Sequence, residues 1–518
     1  MIFPSRRRAR LTALLVAGLL AGSVLSAGPG AATAAAQVTP EPVPEQPVPV
    51  APAPDQVTPA LAPPDVIVQG GGWGHSVGMS QYGAYAQARA GRSHADILRH
   101  YYPGVAVGGH PGVPGELRVG LLQAQSAIVV RTSSRDGGQP SKLASVAFGP
   151  EAMELPWCGG CPPVDYTITF EGGRYVLRDE AGTVRLVGDG PVRVHYDFLD
   201  GNPTLLRLPQ LMAAGDRGVS EAALAAAGNR AGTYQWGRLE VSEMSGGQLR
   251  AVMVLQTQLY LRGLAEMPSS WHPEALRAQA IAGRTYATRR AGALDPACQC
   301  HLGATPLHQV YAGWAKEGDP TFGRGWVAAV EGTNGVVVSS GGAPAQTYYS
   351  SSHGGRTENS QDSWAFSTPF PYLVSVDDHW SLDPAVRNPF GSWAAPFSNR
   401  RFADIVAPDV ATITGVRPVG DRTAGGTPRE LEVTGWDAAG ERVTRRYTGG
   451  GKNIAGANLK LALRAELRSQ QIATLGFPPF GDDEGSVHEY NIWAIDARQI
   501  TGGCDASDPG RFCPLASV

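Results

Sequence analysis

Residues 260–287 read YLRGLAEMPSSWHPEALRAQAIAGRTYA, and this stretch carries the strongest helical pattern in the chain. Pro273 and Glu274 suit the first turn of a helix, where proline is tolerated and a carboxylate faces the positive end of the helix dipole. Arg277 and Arg284 are seven residues apart and therefore share one helix face. The sequence predicts a helix of about five turns with a basic face.

A single acidic residue, Glu266, precedes this helix in an apolar setting. Its neighbours include Leu264, Met267 and Trp271. Burial among such groups disfavours the ionised form of a carboxyl and raises its pKa, as a general acid requires near neutral pH. Glu266 is therefore a candidate general acid, with a surface or capping role as the alternative. Glu274, by contrast, is explained by helix electrostatics.

Candidates for a second acid lie in the segment GGRTENSQDSW (354–364). Hydrolytic glycosidases usually place two carboxylates around the scissile bond. Glu358 and Asp362 could serve in this way, although they could equally form a turn network with Arg356.

The serines just before this segment raise another chemistry. Ser351, Ser352 and His353 stand side by side, which could indicate acyl transfer. Neither Ser351 nor Ser352 stands in a G-x-S-x-G elbow, so hydrogen-bonding loop residues are the favoured interpretation.

The segment GGGWGHSVGMSQY (70–82) follows a short predicted strand and leads into a predicted helix from about Met79 to Ala90. Its glycines permit close approach of the backbone to a ligand. The side chains that it offers for stacking on a sugar or hydrogen bonding to it are Trp73, His75, Gln81 and Tyr82. A second helix is predicted from Ser93, where a capping box begins.

Residues 111–254 alternate short β-type runs with Gly, Asp and Pro turns. The clearest runs are Leu117–Leu122, Tyr166–Phe170 and Val192–Tyr196, and an alanine-rich helix is predicted near Ser220–Ala227. The chain contains 66 Gly and 41 Pro, which favours many turns and short strands. We predict an α+β protein in which helices pack on short antiparallel strands, with a β-rich accessory segment over 111–254.

The N-terminus has the pattern of a signal peptide. Basic residues within 6–10 precede an apolar run over Leu11–Leu25, and small residues follow. An uncleaved anchor is the alternative, but the run is shorter than the ~20 residues that span a bilayer. We predict a signal peptide over 1–36, a Pro-rich linker over 37–65, and a secreted or cell-wall protein without a transmembrane helix after signal cleavage.

The cysteines form three local pairs. They are Cys158 and Cys161, Cys298 and Cys300, and Cys504 and Cys513. The first and last pairs could bridge locally in an exported protein. A Cys-x-Cys bridge is strained, and His301 is adjacent, so Cys298, Cys300 and His301 could instead ligate zinc. The sequence leaves both possibilities open.

Charge excludes one class of partner. The 43 basic and 46 acidic side chains leave a formal charge of −3. Beyond the arginines of the N-terminus no block of like charge is present, so we expect no nucleic-acid binding.

Five motifs together resemble the SpoIID/LytB family, which includes a murein lytic transglycosylase and an amidase enhancer. They are GWGHSVGMSQYGA (72–84), ILRHYYPGV (97–105), residues 260–287, HQVYAG (308–313) and YYSSSHGGRTENSQDSW (348–364). The resemblance implies a SpoIID-like catalytic core over 255–470 and a tail over 471–518 that holds a cysteine pair. The GWGH segment, over 66–110, precedes the core, so the resemblance implies a circular permutation.

The family's catalytic glutamate corresponds to Glu266. The glycan-cleft residues that the resemblance implies are His75, Arg284, Tyr286, Tyr349, His353 and Arg356. The family usually has glycine where Ser76 stands.

The resemblance implies an exported enzyme that cleaves MurNAc–GlcNAc bonds of peptidoglycan strands to 1,6-anhydro ends, with Glu266 as acid and then base. No cofactor is required, although zinc is possible. The alternatives are a non-catalytic enhancer of a cell-wall amidase, which would then be its partner, and a structural wall protein that merely holds glycan.

Overall fold

A computed structural model describes residues 65–134, 145–148, 151–154, 164–196, 204–211, 232–363, 369–448 and 467–477. The predicted signal peptide, the linker before residue 65 and the alanine-rich helix over 220–227 lie outside these residues. So do the cysteine pairs at 158/161 and 504/513.

The helices of the described residues are short, with one exception of 18 residues. They are α1 (Gln81–Arg89), α2 (His94–Tyr101), α3 (Thr257–Arg262), α4 (Pro273–Arg290), α5 (Trp314–Glu317), α6 (Gly323–Glu331), α7 (Ser360–Ser363) and α8 (Asn399–Val406). Short 3₁₀ helices span Pro209–Leu211, Ser245–Gly247, His379–Leu382 and Pro384–Val386. None of the helices in the described part of the chain is long and apolar enough to cross a membrane.

Strands account for most of the remaining regular structure. In the first half of the chain they are β1 (Val66–Gly70), β2 (Met79–Ser80), β3 (Ala106–Gly109), β4 (Glu116–Gln125), β5 (Ile128–Ser134), β6 (Ser145–Phe148), β7 (Glu151–Glu154), β8 (Asp165–Glu171), β9 (Arg174–Arg178), β10 (Val184–Gly188), β11 (Val192–His195), β12 (Thr204–Arg207), β13 (Thr233–Tyr234), β14 (Arg238–Glu243) and β15 (Leu249–Gln256). In the second half they are β16 (Leu302–Gly303), β17 (Val336–Ser340), β18 (Ala343–Pro344), β19 (Tyr349–Ser350), β20 (Trp393–Phe397), β21 (Thr412–Arg422), β22 (Pro428–Trp436), β23 (Arg442–Thr448) and β24 (Ile472–Gly476).

These strands form small, mainly antiparallel sheets. The two largest have the orders β16-β4-β15-β14-β11-β6-β7 and β10-β9-β8-β5-β12-β13. Three sheets have three strands, with the orders β20-β1-β24, β18-β17-β3 and β21-β22-β23. The parallel pairs are β16 with β4 and β19 with β2. The predicted α+β class is confirmed.

The long helix α4 begins where the sequence predicts. Pro273 occupies its first turn, and the His272 side chain accepts a hydrogen bond from the backbone N–H of Glu274. Ser93 caps α2 by accepting from the Asp96 N–H, as the capping box predicts. The helix predicted over about 79–90 is α1, and the short hairpin β17–β18 turns at residues 341–342.

The β-rich segment over 111–254 shares its hydrophobic core with the helices. One cluster of buried side chains joins Ala278 and Ile281 of α4 to Val119 of β4 and Met253 of β15. Strand β15 runs directly into α3 at residue 257, so the predicted boundary after residue 254 falls inside a strand. The accessory segment therefore forms one wall of the core on which α4 rests.

A second hydrophobic cluster brings both ends of the described chain together. Strand β1 lies between β20 and β24 and pairs antiparallel with each. Val66 and Val68 of β1 pack in this cluster with Phe402 of α8 and Leu475 of β24. Because β24 belongs to this sheet, the folded region extends through Gly476, beyond the predicted boundary at residue 470.

Candidate functional site

A cavity of about 570 Å³ lies between the glycine-rich N-terminal segment and the loop that precedes α4. Ligand pockets usually have volumes of ~300–1,000 Å³. Its lining residues are Trp73, His75, Gln81, Glu266, Tyr286, Pro306, Leu307, His308, Val310, Thr347, Tyr348, Tyr349, Ser350, Ser351 and Phe390. Glu266 is the one carboxyl group among the described residues that line it.

Backbone pairing with a second loop fixes the position of Glu266. The Ala265 N–H donates to the Val310 carbonyl at 2.8 Å. The Val310 N–H in turn donates to Glu266 Oε1 at 2.6 Å. From the N-terminal segment, Gln81 Nε2 donates to the Glu266 carbonyl at 2.8 Å and to Gln279 Oε1 at 3.1 Å. The residue is therefore held from both sides of the cavity, its carboxyl group by Val310 and its backbone carbonyl by Gln81.

A chain of hydrogen bonds orients Tyr349 toward the same carboxyl group. The Tyr260 hydroxyl donates to Gln309 Oε1 at 3.0 Å, and Gln309 Nε2 donates to the Tyr349 hydroxyl oxygen at 2.9 Å. The Tyr349 hydroxyl also hydrogen-bonds to Glu266. Because the phenol oxygen accepts from Gln309, its single proton is directed to the carboxylate.

Burial raises the pKa of Glu266 above its usual value. Hydrogen bonds from Val310 and Tyr349 and the charge of Lys316 oppose this shift only in part. Lys316 is itself buried, and the same loss of hydration lowers its pKa to about 8. Its ammonium group donates to the Met267 carbonyl. Glu266 therefore holds its proton to a higher pH than an exposed glutamate does.

His75 is held neutral and in one orientation. Its Nδ1 accepts a hydrogen bond from the Val77 N–H at 3.1 Å, and the ring also bonds to the backbone of Tyr349. Burial lowers its pKa to about 4, so it is uncharged near neutral pH. A Cβ at Gly74 would lie 2.4 Å from Ser350 Cβ, which makes glycine necessary beside His75.

Of the residues predicted to form the site, six line the cavity. They are Trp73, His75, Gln81, Glu266, Tyr286 and Tyr349. Tyr82 lies outside it, where its ring packs on Trp271 and Phe390.

The prediction that Arg284 faces the cleft is wrong. Its side chain is fully buried and donates to the carbonyls of Val330 and Val336 and to Gln258 Oε1. Burial lowers its pKa to about 10, which leaves it charged at neutral pH. Arg284 thus ties α4 to α6 and β17 in the core, because α6 covers this part of the helix face.

His353 and Arg356 also lie outside the residues that line the cavity. His353 is buried behind Ser350, whose Oγ lies 2.9 Å from His353 Nε2, and burial lowers its pKa well below the usual value. Asn388 Nδ2 donates to the neighbouring Ser352 Oγ at 2.8 Å. Arg356 is exposed, and its carbonyl accepts from Gln471 Nε2. These residues hold the loop in shape.

The two candidate second acids have structural partners instead. Glu358 is buried and accepts hydrogen bonds from Thr423 Oγ1 at 2.6 Å and from the Gly425 N–H at 3.0 Å. Asp362 pairs with Arg429 at 2.9 Å. Neither lines the cavity, and neither pairs with Arg356 as the turn-network interpretation supposed.

The cysteine alternative is resolved in favour of a bridge. Cys298 and Cys300 are joined by a disulfide bond, with their Cα atoms 5.1 Å apart. Their sulfurs are therefore not free to ligate zinc, and His301 Nδ1 accepts a hydrogen bond from the Arg118 N–H. In the part of the chain that the structure describes, no cluster of three or more His, Cys, Asp or Glu residues could hold a metal ion. The zinc interpretation of Cys298, Cys300 and His301 is corrected accordingly.

Sequence reasoning missed the residues that orient the acid. Gln309, Val310 and Lys316 position Glu266 and shape its pKa. The motif HQVYAG (308–313) contains two of them and was the available signal. The motif alone gives neither residue a role, because the groups that connect them to the acid, Tyr349 and Glu266, lie 40 and 44 residues away in the sequence.

The described residues form a mixed α+β fold in which a partly buried glutamate, Glu266, faces a ligand-sized cavity. Residues 245–339 match the family model described as stage II sporulation protein, SpoIID. This part of the chain is therefore similar to the SpoIID family.

Two relatives illustrate the range of this match. The chain is 37% identical over 121 residues to the amidase enhancer of Bacillus subtilis, covering 23% of this chain and 15% of that protein. It is 32% identical over 125 residues to the stage II sporulation protein D of Bacillus amyloliquefaciens, covering 22% of this chain and 36% of that protein. The chain thus matches well under half the length of either relative.

Proposed function

We propose that this protein is an exported enzyme that cleaves the MurNAc–GlcNAc bond of peptidoglycan strands without water and leaves a 1,6-anhydro end. The observation that carries the proposal is that Glu266 supplies the one carboxyl group among the described residues that line the cavity. A hydrolytic glycosidase usually has a second carboxylate at the scissile bond, and Glu358 and Asp362 are engaged elsewhere. One acid suffices when the substrate supplies its own nucleophile.

The mechanism uses Glu266 twice. Its carboxyl proton passes to the glycosidic oxygen as the bond to the anomeric carbon breaks, and GlcNAc leaves as an alcohol. The C6 hydroxyl oxygen of the same muramyl residue then bonds to the anomeric carbon, and its proton passes to the Glu266 carboxylate. The residue ends protonated, ready for another cycle.

The surroundings of Glu266 suit both steps. Burial favours the protonated form before reaction, and the hydrogen bonds from Val310 and Tyr349 stabilise the carboxylate formed during it. Because neutral His75 and buried Tyr349 are fixed by their own partners, the cavity needs little rearrangement. The aromatic rings of Trp73, Tyr286 and Phe390 provide apolar faces for sugars.

The experiment is mass spectrometry of purified glycan strands after incubation with the protein and with Glu266→Gln. The variant keeps the shape of the side chain but cannot deliver a proton, so release of anhydro products should fall by ~10²–10⁴-fold. Glu274→Gln, at an acid outside the cavity lining, is the control and should retain activity. Equal product release by wild type and Glu266→Gln would disprove the assignment.

A second function is favoured by the similarity to a protein named amidase enhancer. In this alternative the cavity holds glycan without cleaving it, and a cell-wall amidase is the partner. Amidase activity measured with added protein separates the two functions. Equal stimulation by wild type and Glu266→Gln, with no anhydro product from either, would favour the enhancer.

A further inference from the structure

A row of aromatic rings continues from the cavity across the surface of α1. Trp73 and Phe390 line the cavity, and their ring centroids are 4.6 Å apart. The Phe390 ring lies 6.1 Å from that of Tyr82, and Tyr82 lies 4.8 Å from Trp271. Trp271 then stacks on Tyr85 at 4.6 Å with an interplanar angle of 12°.

These rings come from three separate segments of the chain. Tyr82 and Tyr85 project from α1, Trp271 from the loop that holds Glu266, and Phe390 from the loop before β20. Trp73 is 45% exposed, and the other four rings are partly buried, so each ring packs on a neighbour and keeps some surface in solvent.

Basic groups stand at both ends of the row. The exposed Arg468 guanidinium lies 5.8 Å from the Trp73 ring and 6.0 Å from the Phe390 ring. At the far end, Arg89 lies 5.7 Å from the Tyr85 ring and donates to its hydroxyl at 3.3 Å. A row of partly exposed aromatic rings, flanked by hydrogen-bond donors, is suited to a polysaccharide rather than to a small ligand.

We propose that Tyr82, Trp271 and Tyr85 extend the saccharide-binding site beyond the cavity, so that the protein grips a glycan strand longer than the cavity holds. This inference rests on the proposed function of the cavity. Its consequence is an affinity that increases with strand length, since the outer rings contact only sugars that extend past Phe390.

The test uses Tyr85→Ala in a Glu266→Gln background, so that the probe is not cleaved. Tyr85 is the outermost ring, and alanine is favourable within α1, so the fold should persist. The probes are stem-peptide-free glycan strands separated into a tetrasaccharide fraction and a long fraction, with dissociation constants measured by calorimetry. We expect about a threefold to tenfold weaker binding of long strands and unchanged binding of the tetrasaccharide.

Two further variants sharpen the result. Trp271→Leu keeps apolar bulk and should show the same length-dependent loss, whereas Trp436→Ala, at an exposed tryptophan on β22, should change neither constant. Unchanged binding of long strands, or equal weakening for both lengths, would overturn the extension while leaving the cavity assignment intact. Failure of the parent protein to bind strands of either length would overturn the proposed function and the extension with it.

Discussion

At the scale of single residues, the pKa of Glu266 sets the pH range of the proposed reaction. The first step needs the protonated acid, so activity should fall as pH rises through that pKa. The Tyr349 hydroxyl stabilises the carboxylate and lowers the pKa of Glu266. Tyr349→Phe removes this hydrogen bond, so the alkaline limb of the kcat/KM profile should move to higher pH.

Tyr348→Phe provides the matched control for this shift. Tyr348 lines the same cavity, but the groups that shift the pKa of Glu266 are Val310, Tyr349 and Lys316. Its profile should keep the wild-type alkaline limb. A limb that stays in place in Tyr349→Phe, with activity retained, would show that Tyr349 does not act on the titrating acid.

Some properties of Glu266 can be predicted from the sequence, and others cannot. The apolar neighbours of Glu266 predict a raised pKa, and the structure agrees in direction. The hydrogen-bond partners of its carboxyl group, at 310 and 349, could not be predicted by local pattern, because only the tertiary fold brings those segments to residue 266. A residue's burial can be inferred from its neighbours in sequence, but its partners require the topology.

At the scale of elements, the sequence pattern of α4 predicts its bounds, whereas tertiary packing determines which of its side chains are buried. Its start at Pro273 and its length follow from the sequence. The two arginines of its basic face, however, have different roles. Arg277 is partly exposed and pairs with Glu274, while Arg284, two turns on, is buried under α6. A spacing of seven residues places two side chains on the same helix face. It does not predict which other elements pack on that face at each turn.

This difference predicts unequal effects of one substitution at the two positions. Arg284→Met removes the buried donor to the Val336 carbonyl and to Gln258 Oε1, so unfolding by urea should show about 2–4 kcal/mol lower stability. Arg277→Met removes a partly exposed ion pair and should cost less than about 1 kcal/mol. If Arg284→Met keeps the stability of the wild type and binds glycan more weakly, Arg284 belongs to the glycan-binding cleft and its structural role is disproved.

At the scale of the whole molecule, the N-terminal segment is part of the site rather than an appendage. Strand β1 is the central strand of the sheet β20-β1-β24, and α1 brings Gln81 to the Glu266 loop 185 residues later in the chain. The sequence predicts this closeness through the GWGH motif. The sheet that holds this segment in place joins both ends of the described chain. The pairing of its strands could not be predicted from the sequence, because strands of two to eleven residues do not indicate their partners.

Gln81 offers a direct test of this long-range link. Gln81→Leu leaves the Glu266 carbonyl without its donor from α1, so the acid should lose its fixed position and kcat should fall by about 10- to 100-fold. Gln87→Leu makes the same change at another buried position of the same helix, where Oε1 accepts from Arg92. Both variants should lose about 1–3 kcal/mol of stability in urea. Only Gln81→Leu should lose activity in the folded protein, measured as anhydro product per unit time. If the two variants lose activity equally, the helix contributes stability alone, and the N-terminal segment does not position the acid.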